Sequence, residues 1–340
     1  MVNVGVIGVG KMGISHLSIL GANPKVKVVG VADNSKITTD ILEKYSPFKC
    51  YADFAEMISK EKIDAMFIAT PTKYHFPMVK NVLENNIHVF VEKPFCLNTN
   101  EGKLLIEIAE KRKLINQVGY HNKFIGTFIE AKNIIKRGFI GNIFHFSTDM
   151  YGPVVIRKKD INWRSKSDEG GGCLMDYAAH SIDLINYIIG DITKIDGVLM
   201  KSIYSKNVED AVFALLRTEE GISGVMNVNW SDETYRKMST TITVLGTKGK
   251  IIVDATEIRV FLKEEIPGSR YAKGWNIIHI NELSENVEFY LRGEEYSAQV
   301  EHFINVVEGN EENTINTFSS AMKTDQVIEE IKKYNTEKNA

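Results

Sequence analysis

The opening stretch, VNVGVIGVGKMGISHLSILGA, constrains the fold of this chain more than any other segment. Residues 2–8 are short, apolar and β-branched, which predicts a strand. Residues 11–22 place Ile14, Leu17, Ile19 and Leu20 at helical spacing. Between them lie Gly8, Gly10 and Gly13, in GVGKMG. A lone GxGxxG carries little weight where glycine fills 25 of 340 positions, but a strand-to-helix turn is the setting this motif requires. The alternation then continues. Strands are expected at 27–33, 62–70, 88–94 and 115–120, and helices at 36–45, 53–60, 75–85 and 98–113. Asp53 is placed to cap one helix, and Asn98 with Glu101 has capping-box spacing at another. Such alternation requires a parallel sheet covered by helices on both faces.

The pattern changes near residue 121. One more helix is expected over 124–138, stopped by Gly138. Mostly strands follow, at 143–150, 209–218, 221–230, 239–246 and 250–255, with EEG and GTKG separating neighbours as hairpins. Two helices, 295–308 and 316–334, end the chain, and the tail NTEKNA is expected to fray. A length of 340 residues fits two domains. The reading is an α/β Rossmann-like N-terminal domain over 1–121 and an α+β C-terminal domain over 122–340. The second is built on a large, mostly antiparallel open sheet, and its terminal helix is free to pack back on the first domain. One face of such a sheet is hidden by helices; the other must be wet or meet another subunit.

Composition narrows the function classes. A formal net charge of −3 gives no electrostatic case for nucleic acid or an acidic membrane surface. Cys50, Cys96 and Cys173 lack CxxC spacing, so neither a metal site nor a disulfide framework is expected. The start MVNVGVIGVG has no basic region of a signal peptide, and no apolar run approaches the ~18–20 residues of a spanning helix. A cytoplasmic protein is expected.

Each glycine of the loop has a reason in dinucleotide binding. Gly8 permits the tight turn, Gly10 lets backbone approach a pyrophosphate, and Gly13 lets helix and strand pack closely. Lys11 and Met12 fall inside the same loop and join the expected cofactor set. The helix N-terminus offers unpaired amides and a positive dipole end. Twenty residues past Gly13, Asp33 ends the second strand, where a carboxylate can accept from both ribose hydroxyls and repels a 2′-phosphate. NAD is therefore favoured, with NADP retained as an alternative because Lys36 is near. The third strand ends in ATPTKYH (69–75), which puts Thr70, Pro71 and His75 at the ligand-binding edge. His75 reads equally well as a helix-start cap.

The fourth strand ends in Glu92-Lys93-Pro94, and GGGCLMDYAAH follows some 80 residues later. A glycine fingerprint, ATPxxxH, HVFVEKP and GGGxLxDxxxH, in this order, resemble the Gfo/Idh/MocA oxidoreductase family across the chain. The resemblance implies an NAD(P)-dependent dehydrogenase acting on CH–OH groups. Glu92 and Lys93 would then lie at the cofactor, with the Lys93 ammonium stabilising an alkoxide as hydride leaves its carbon. Asp176 and His180, four apart on one helical face, would face the nicotinamide from the opposite side. His180 suits a general base, and Asp176 would bind the hydroxyl or orient its neighbours. The reverse assignment, with Lys93 as base, stays open. Resemblance also suggests substrate contacts by Tyr120 and by Lys123, where the family pattern often has Arg. Trp163 and Arg164 are further candidates, in the loop before the glycines, with Tyr235 and Arg236 beyond them. Trp163 reads equally well as a core or interface aromatic. The implied substrate is a sugar, cyclitol or nucleotide-sugar; segment 287–303 resembles members acting in surface-polysaccharide or nucleotide-sugar pathways. The implied assembly is a homodimer or homotetramer through the second sheet. Two other readings remain: a reductase of an imine, dihydrodiol or tetrapyrrole, and a non-catalytic dinucleotide sensor or scaffold.

Overall fold

Strand and helix alternate from Val2 to Val118 in a computed structural model of the chain, which describes residues 1–154, 163–283, 287, 290 and 293–339. The parallel strands are β1 (Val2–Ile7), β2 (Val26–Ala32), β3 (Cys50–Tyr51), β4 (Ala65–Ile68), β5 (His88–Val91) and β6 (Asn116–Val118). Their spatial order is β3-β2-β1-β4-β5-β6, so the order reverses beside β1, the place where sheets of this kind bind ligands. The helices are α1 (Lys11–Ala22), α2 (Lys36–Tyr45), α3 (Phe54–Lys60), α4 (His75–Glu84) and α5 (Thr99–Arg112). Capping explains several starts: Asp53 accepts from the Ala55 amide at 2.9 Å and Asn98 from the Glu101 amide at 3.1 Å. The strands are buried on both faces, as a covered parallel sheet demands, with Val4, Val6, Phe67, Phe90 and Val89 fully inaccessible.

The chain divides into two compact units, Met1–His121 with Asn286–Met322, and Asn122–Glu285 with Lys323–Ala340. The first therefore includes α8 (Glu294–Val307), whose Val300, Phe303 and Ile304 join the core with Leu17, Leu20 and Phe67. The last helix, α9, spans Phe318–Asn339.

The second unit contains α6 (Gly126–Lys136), α7 (Ala179–Ile188) and an eight-stranded sheet among its described residues. Its strands are β7 (Ile143–Tyr151), β8 (Ile192–Lys201), β9 (Ala211–Thr218), β10 (Ser223–Asn229), β11 (Ser239–Gly246), β12 (Gly249–Val253), β13 (Glu257–Leu262) and β14 (Gly274–His279). The order is β14-β13-β12-β11-β7-β10-β9-β8; β7 and β10 run parallel and the other neighbours antiparallel. Period-two burial runs along β7 and β9–β13: Phe146, Met150, Met226, Val228, Ile242 and Val244 point inward. The other face is apolar at its ends, with Leu199, Leu215, Trp275 and Ile277 each about half exposed, and polar in the middle at Ser147, Asp149, Asn227 and Thr243. Strands β3, β8, β13 and β14 are additions to the sequence reading. Parts of segment 287–303 and all of 155–162 lie outside the described residues. No helix among the described residues is long and apolar enough to cross a membrane.

Candidate active site

The glycine loop joins β1 to α1, and each glycine meets a different constraint. Gly8 has φ +87°, and a Cβ there would fall 2.8 Å from the Ala69 carbonyl oxygen. At Gly13 a Cβ would fall 1.8 Å from the Gly8 carbonyl oxygen, so helix and loop touch backbone to backbone. At Gly10 a Cβ would meet nothing within 4 Å. Gly10 is the first residue of the α1 cap and provides no side-chain cap. An open space thus faces the amides of the first helical turn, which is what a pyrophosphate requires.

That space belongs to a cleft of about 400 Å³ in the first unit. Gly8 and Gly10 line one side, Asp33 and Asn34 another, and Thr70, Pro71, Tyr74 and Met78 a third. Asp33 is fixed from two directions: Oδ2 accepts from the Val9 amide at 2.7 Å and Oδ1 from the Ser35 amide at 2.8 Å. Each carboxylate oxygen has a second lone pair to offer a ribose hydroxyl. The residues present fit a dinucleotide. Asn34, Ala52, Asp53, Phe54, Tyr74 and Met78 also line the cleft but were missed in the sequence; of these only Asp53 carried a local signal, as a helix cap. Lys11 is exposed and Met12 half-buried at the start of α1.

His75 and Glu92 are supports. His75 is fully buried, with Nε2 2.9 Å from the Thr70 carbonyl and Nδ1 2.9 Å from that of Pro94. It braces the ATP loop against the EKP loop instead of reaching into the cleft. Burial pushes its pKa down, against the carbonyls that favour a proton; a neutral imidazole donates to only one side at a time. Glu92 is buried with His16 Nε2 at 2.6 Å, and its Oε2 accepts from the Lys93 amide at 3.3 Å. Burial pushes the Glu92 carboxyl up, yet His16, Lys93 and His121 together hold it below the usual carboxylate range. His16 had no signal in the sequence. Lys93 is half-buried, two residues past the end of β5, and Tyr120 is fully buried, its carbonyl accepting from Asn316 Nδ2 at 2.8 Å.

In the second unit the sequence reading needs one correction. Asp176 and His180 do not lie on successive turns of one α-helix. Leu174–Ala178 form a π-helical turn, and α7 begins at Ala179. Such wide turns recur at functional sites. Both side chains are buried. Arg164 donates from Nε to Asp176 Oδ2 at 2.8 Å, and its guanidinium stacks 4.7 Å from the Trp163 ring centre. Trp163 is half-buried, so it is not a core aromatic. Gly171 explains part of the glycine run: a Cβ there would fall 2.4 Å from the Arg164 carbonyl. Lys123 is buried 2.7 Å from Asp183, which lies three residues past His180 and was missed in the sequence. Burial pushes Asp183 up to about 6, against Lys123. Tyr235 packs on Tyr151, 5.7 Å between ring centres. No group of three or more His, Cys, Asp or Glu is placed to hold a metal among the described residues.

Comparison with known proteins follows the same division. Residues 2–120 match the oxidoreductase family with NAD-binding Rossmann fold, and residues 128–252 match the GFO/IDH/MocA C-terminal domain. Myo-inositol 2-dehydrogenase of Thermotoga maritima is 26% identical over 279 residues, covering 79% of this chain and 80% of its own. The scyllo-inositol 2-dehydrogenase (NAD(+)) of Bacillus subtilis is 27% identical over 260 residues, 74% of this chain and 73% of its own. Among solved structures, the WlbA dehydrogenase from Bordetella pertussis, in complex with NADH and UDP-GlcNAcA, superposes with a TM-score of 0.87 at 20% identity, covering 99% of this chain and 96% of that one. At that identity the likeness is one of fold. Fingerprint, cleft and matched segments together assign the chain to the Gfo/Idh/MocA oxidoreductase family, its first unit an NAD-binding Rossmann fold.

Proposed function

We propose that the chain transfers hydride between NAD and a secondary hydroxyl or ketone of a sugar, cyclitol or nucleotide-sugar. The observation that carries this reading is the retention of Asp176 and His180 as buried groups on a π-to-α junction, with Asp176 held by Arg164. A scaffold that only sensed a dinucleotide would have no use for a buried acid and imidazole at one helix start. The names of the inositol dehydrogenases and of the WlbA complex support the sugar-like substrate class.

When bound, NAD supplies the hydride acceptor at its nicotinamide. The amides around Gly10 and the Asp33 carboxylate would hold it. Lys93 offers an ammonium that steadies negative charge developing on the substrate oxygen. His180 takes the hydroxyl proton, with an imidazole suited to neutral pH. Asp176, oriented by Arg164, accepts a hydrogen bond from the substrate or stabilises the imidazolium. Lys123 and Asp183, Trp163 and Arg164 provide polar and aromatic surface for hydroxyl-rich ligands. We infer also that the exposed sheet face, with its apolar ends, meets a second copy of the chain.

The test mixes the protein with NAD and a panel of myo-inositol, scyllo-inositol, levoglucosan and glucose, following reduced-nicotinamide absorbance. Turnover of at least one is expected. Lys93→Met should cut that turnover about 100-fold or more while NADH affinity stays within about threefold. Tight NADH binding without turnover of any polyol would favour the sensor instead.

A further inference from the structure

Glu209 precedes β9 and contacts the segment that carries Asp176 twice. Its carbonyl accepts from the Cys173 amide at 3.0 Å, and its Oε1 accepts from the Leu174 amide at 2.8 Å. Two successive amides at the start of the π turn are thus held by one residue. Helix starts leave amides without intrahelical acceptors, and a carboxylate there also meets the positive end of the helix dipole. Gly172 is shaped for this carboxylate. Its φ is +106°, and a Cβ at that position would fall 2.3 Å from Glu209 Oε1. The same glycine's carbonyl accepts from the Asp176 amide at 3.0 Å, so the turn carrying Asp176 begins on the residue that Glu209 covers. Lys332 of α9 supplies opposite charge to Glu209, and its Nζ lies 3.3 Å from Met175 Sδ, one residue before Asp176. The neighbouring acid is turned to other work. Asp210 accepts from the Ile203, Tyr204 and Ser205 amides at 2.8, 2.6 and 2.7 Å.

We propose that Glu209 is a positioning residue for the hydride transfer: it clamps the start of the π turn and so fixes the direction in which Asp176 is presented ahead of His180. The inference rests on the reading of Asp176 and His180 given above. With φ +106° Gly172 cannot continue a helix backwards through the glycines, so the turn begins where Glu209 holds its first amides.

The full-length protein tests this with Glu209→Ala and Glu209→Gln. Glutamine keeps an oxygen for the Leu174 amide, whereas alanine removes it. Hydrogen exchange of a peptide spanning 170–178 is expected to quicken about tenfold in Glu209→Ala and to stay within about threefold in Glu209→Gln. With NAD and whichever of myo-inositol, scyllo-inositol or levoglucosan the wild type oxidises, kcat should fall about tenfold or more in Glu209→Ala, KM for NAD should stay within about twofold, and glutamine should restore most of kcat. Unchanged exchange overturns the clamp. Faster exchange with kcat untouched overturns the positioning role. If Glu209→Ala does not fold, Glu209→Asp, one methylene short of the Leu174 amide, carries the same expectations. A wild type that oxidises none of these three, nor glucose, removes the proposed function, while the exchange result still upholds or overturns the clamp.

Discussion

Gly10 and Gly13 lie three residues apart and do different work, which makes a paired substitution informative. Gly10 has φ −67° and ψ −170°, a conformation open to any residue, and a Cβ there meets nothing within 4 Å. Gly10→Ala should therefore keep the fold. By restricting the unfolded chain it should add about 0.4–1 kcal/mol of stability, which raises the melting temperature by about 1–3 °C. The new methyl instead occupies the space before the first turn of α1, where phosphate oxygens must approach the amides. Loss of one charge-assisted hydrogen bond costs about 1.5–3 kcal/mol, so NADH should bind roughly ten- to a hundredfold more weakly. Gly13→Ala inverts the outcome. Its Cβ would fall 1.8 Å from the Gly8 carbonyl oxygen, a backbone atom that cannot swing away, so α1 must shift against β1. Overpacking of this kind costs about 1–3 kcal/mol or more, and the ligand-free protein should melt earlier. Thermal unfolding without ligand, paired with a fluorescence titration of NADH, separates the two. A Gly10→Ala protein that binds NADH as tightly as wild type, or that melts as early as Gly13→Ala, refutes the division of labour.

Two further expectations follow from the second unit. Burial lifts Asp183 from 3.8 to about 6. An acid whose folded pKa lies above its unfolded one stabilises the fold fully below about pH 4 and loses that contribution as the pH rises through about 6, on the order of 3 kcal/mol in all. Asp183→Asn does not titrate, so its stability relative to wild type should rise between about pH 4 and 6; a difference that stays flat across this window contradicts the assignment. At the sheet face, Leu215 is 51% exposed and pairs across β9–β10 with half-buried Val225. Leu215→Asp should shift the light-scattering mass towards that of a monomer, and a wild type already monomeric ends the oligomer proposal.

The first unit was readable because its physics is local. Each βαβ step writes its own period, and α1 and α2 fall over the residues their apolar spacing indicates. Of the strands that escaped, β13 has a regular period of two, whereas β3 was too short and β8 broken. Strand β3 has two residues, fewer than any alternation needs. Strand β8 reads ITKIDGVLMK, and its pairing with β9 slips twice, between Ile192 and Lys194 and between Ile195 and Gly197, so its charged and glycine positions spoil a period of two. The DYAAH stretch misled for another reason. Spacing of four keeps two residues near one face in an α-helix and in a π turn alike, so nothing in those letters announces which of the two forms. The partner of that turn, Glu209, stands 35 residues along the chain from the amide it holds, beyond the reach of any window.

The motif residues divide according to where their polar atoms point, and letters alone do not reveal this. His75 and Glu92 belong to the two most recognisable motifs of the first unit. Yet His75 has a backbone carbonyl at each ring nitrogen, and Glu92 meets His16 and its neighbour's amide. Both spend their hydrogen-bonding capacity holding loops in register, and substitution there should be felt first as stability. Asp33 takes one amide on each oxygen and keeps a lone pair on each, and it lines the cleft. The two amides fix the plane of the carboxylate before any ligand arrives. Ribose hydroxyls then meet an acceptor that needs no reordering, while a 2′-phosphate meets a fixed negative charge that cannot rotate away. The discrimination against NADP that we propose for this cleft would therefore rest on the Val9 and Ser35 amides as much as on the charge they hold in place.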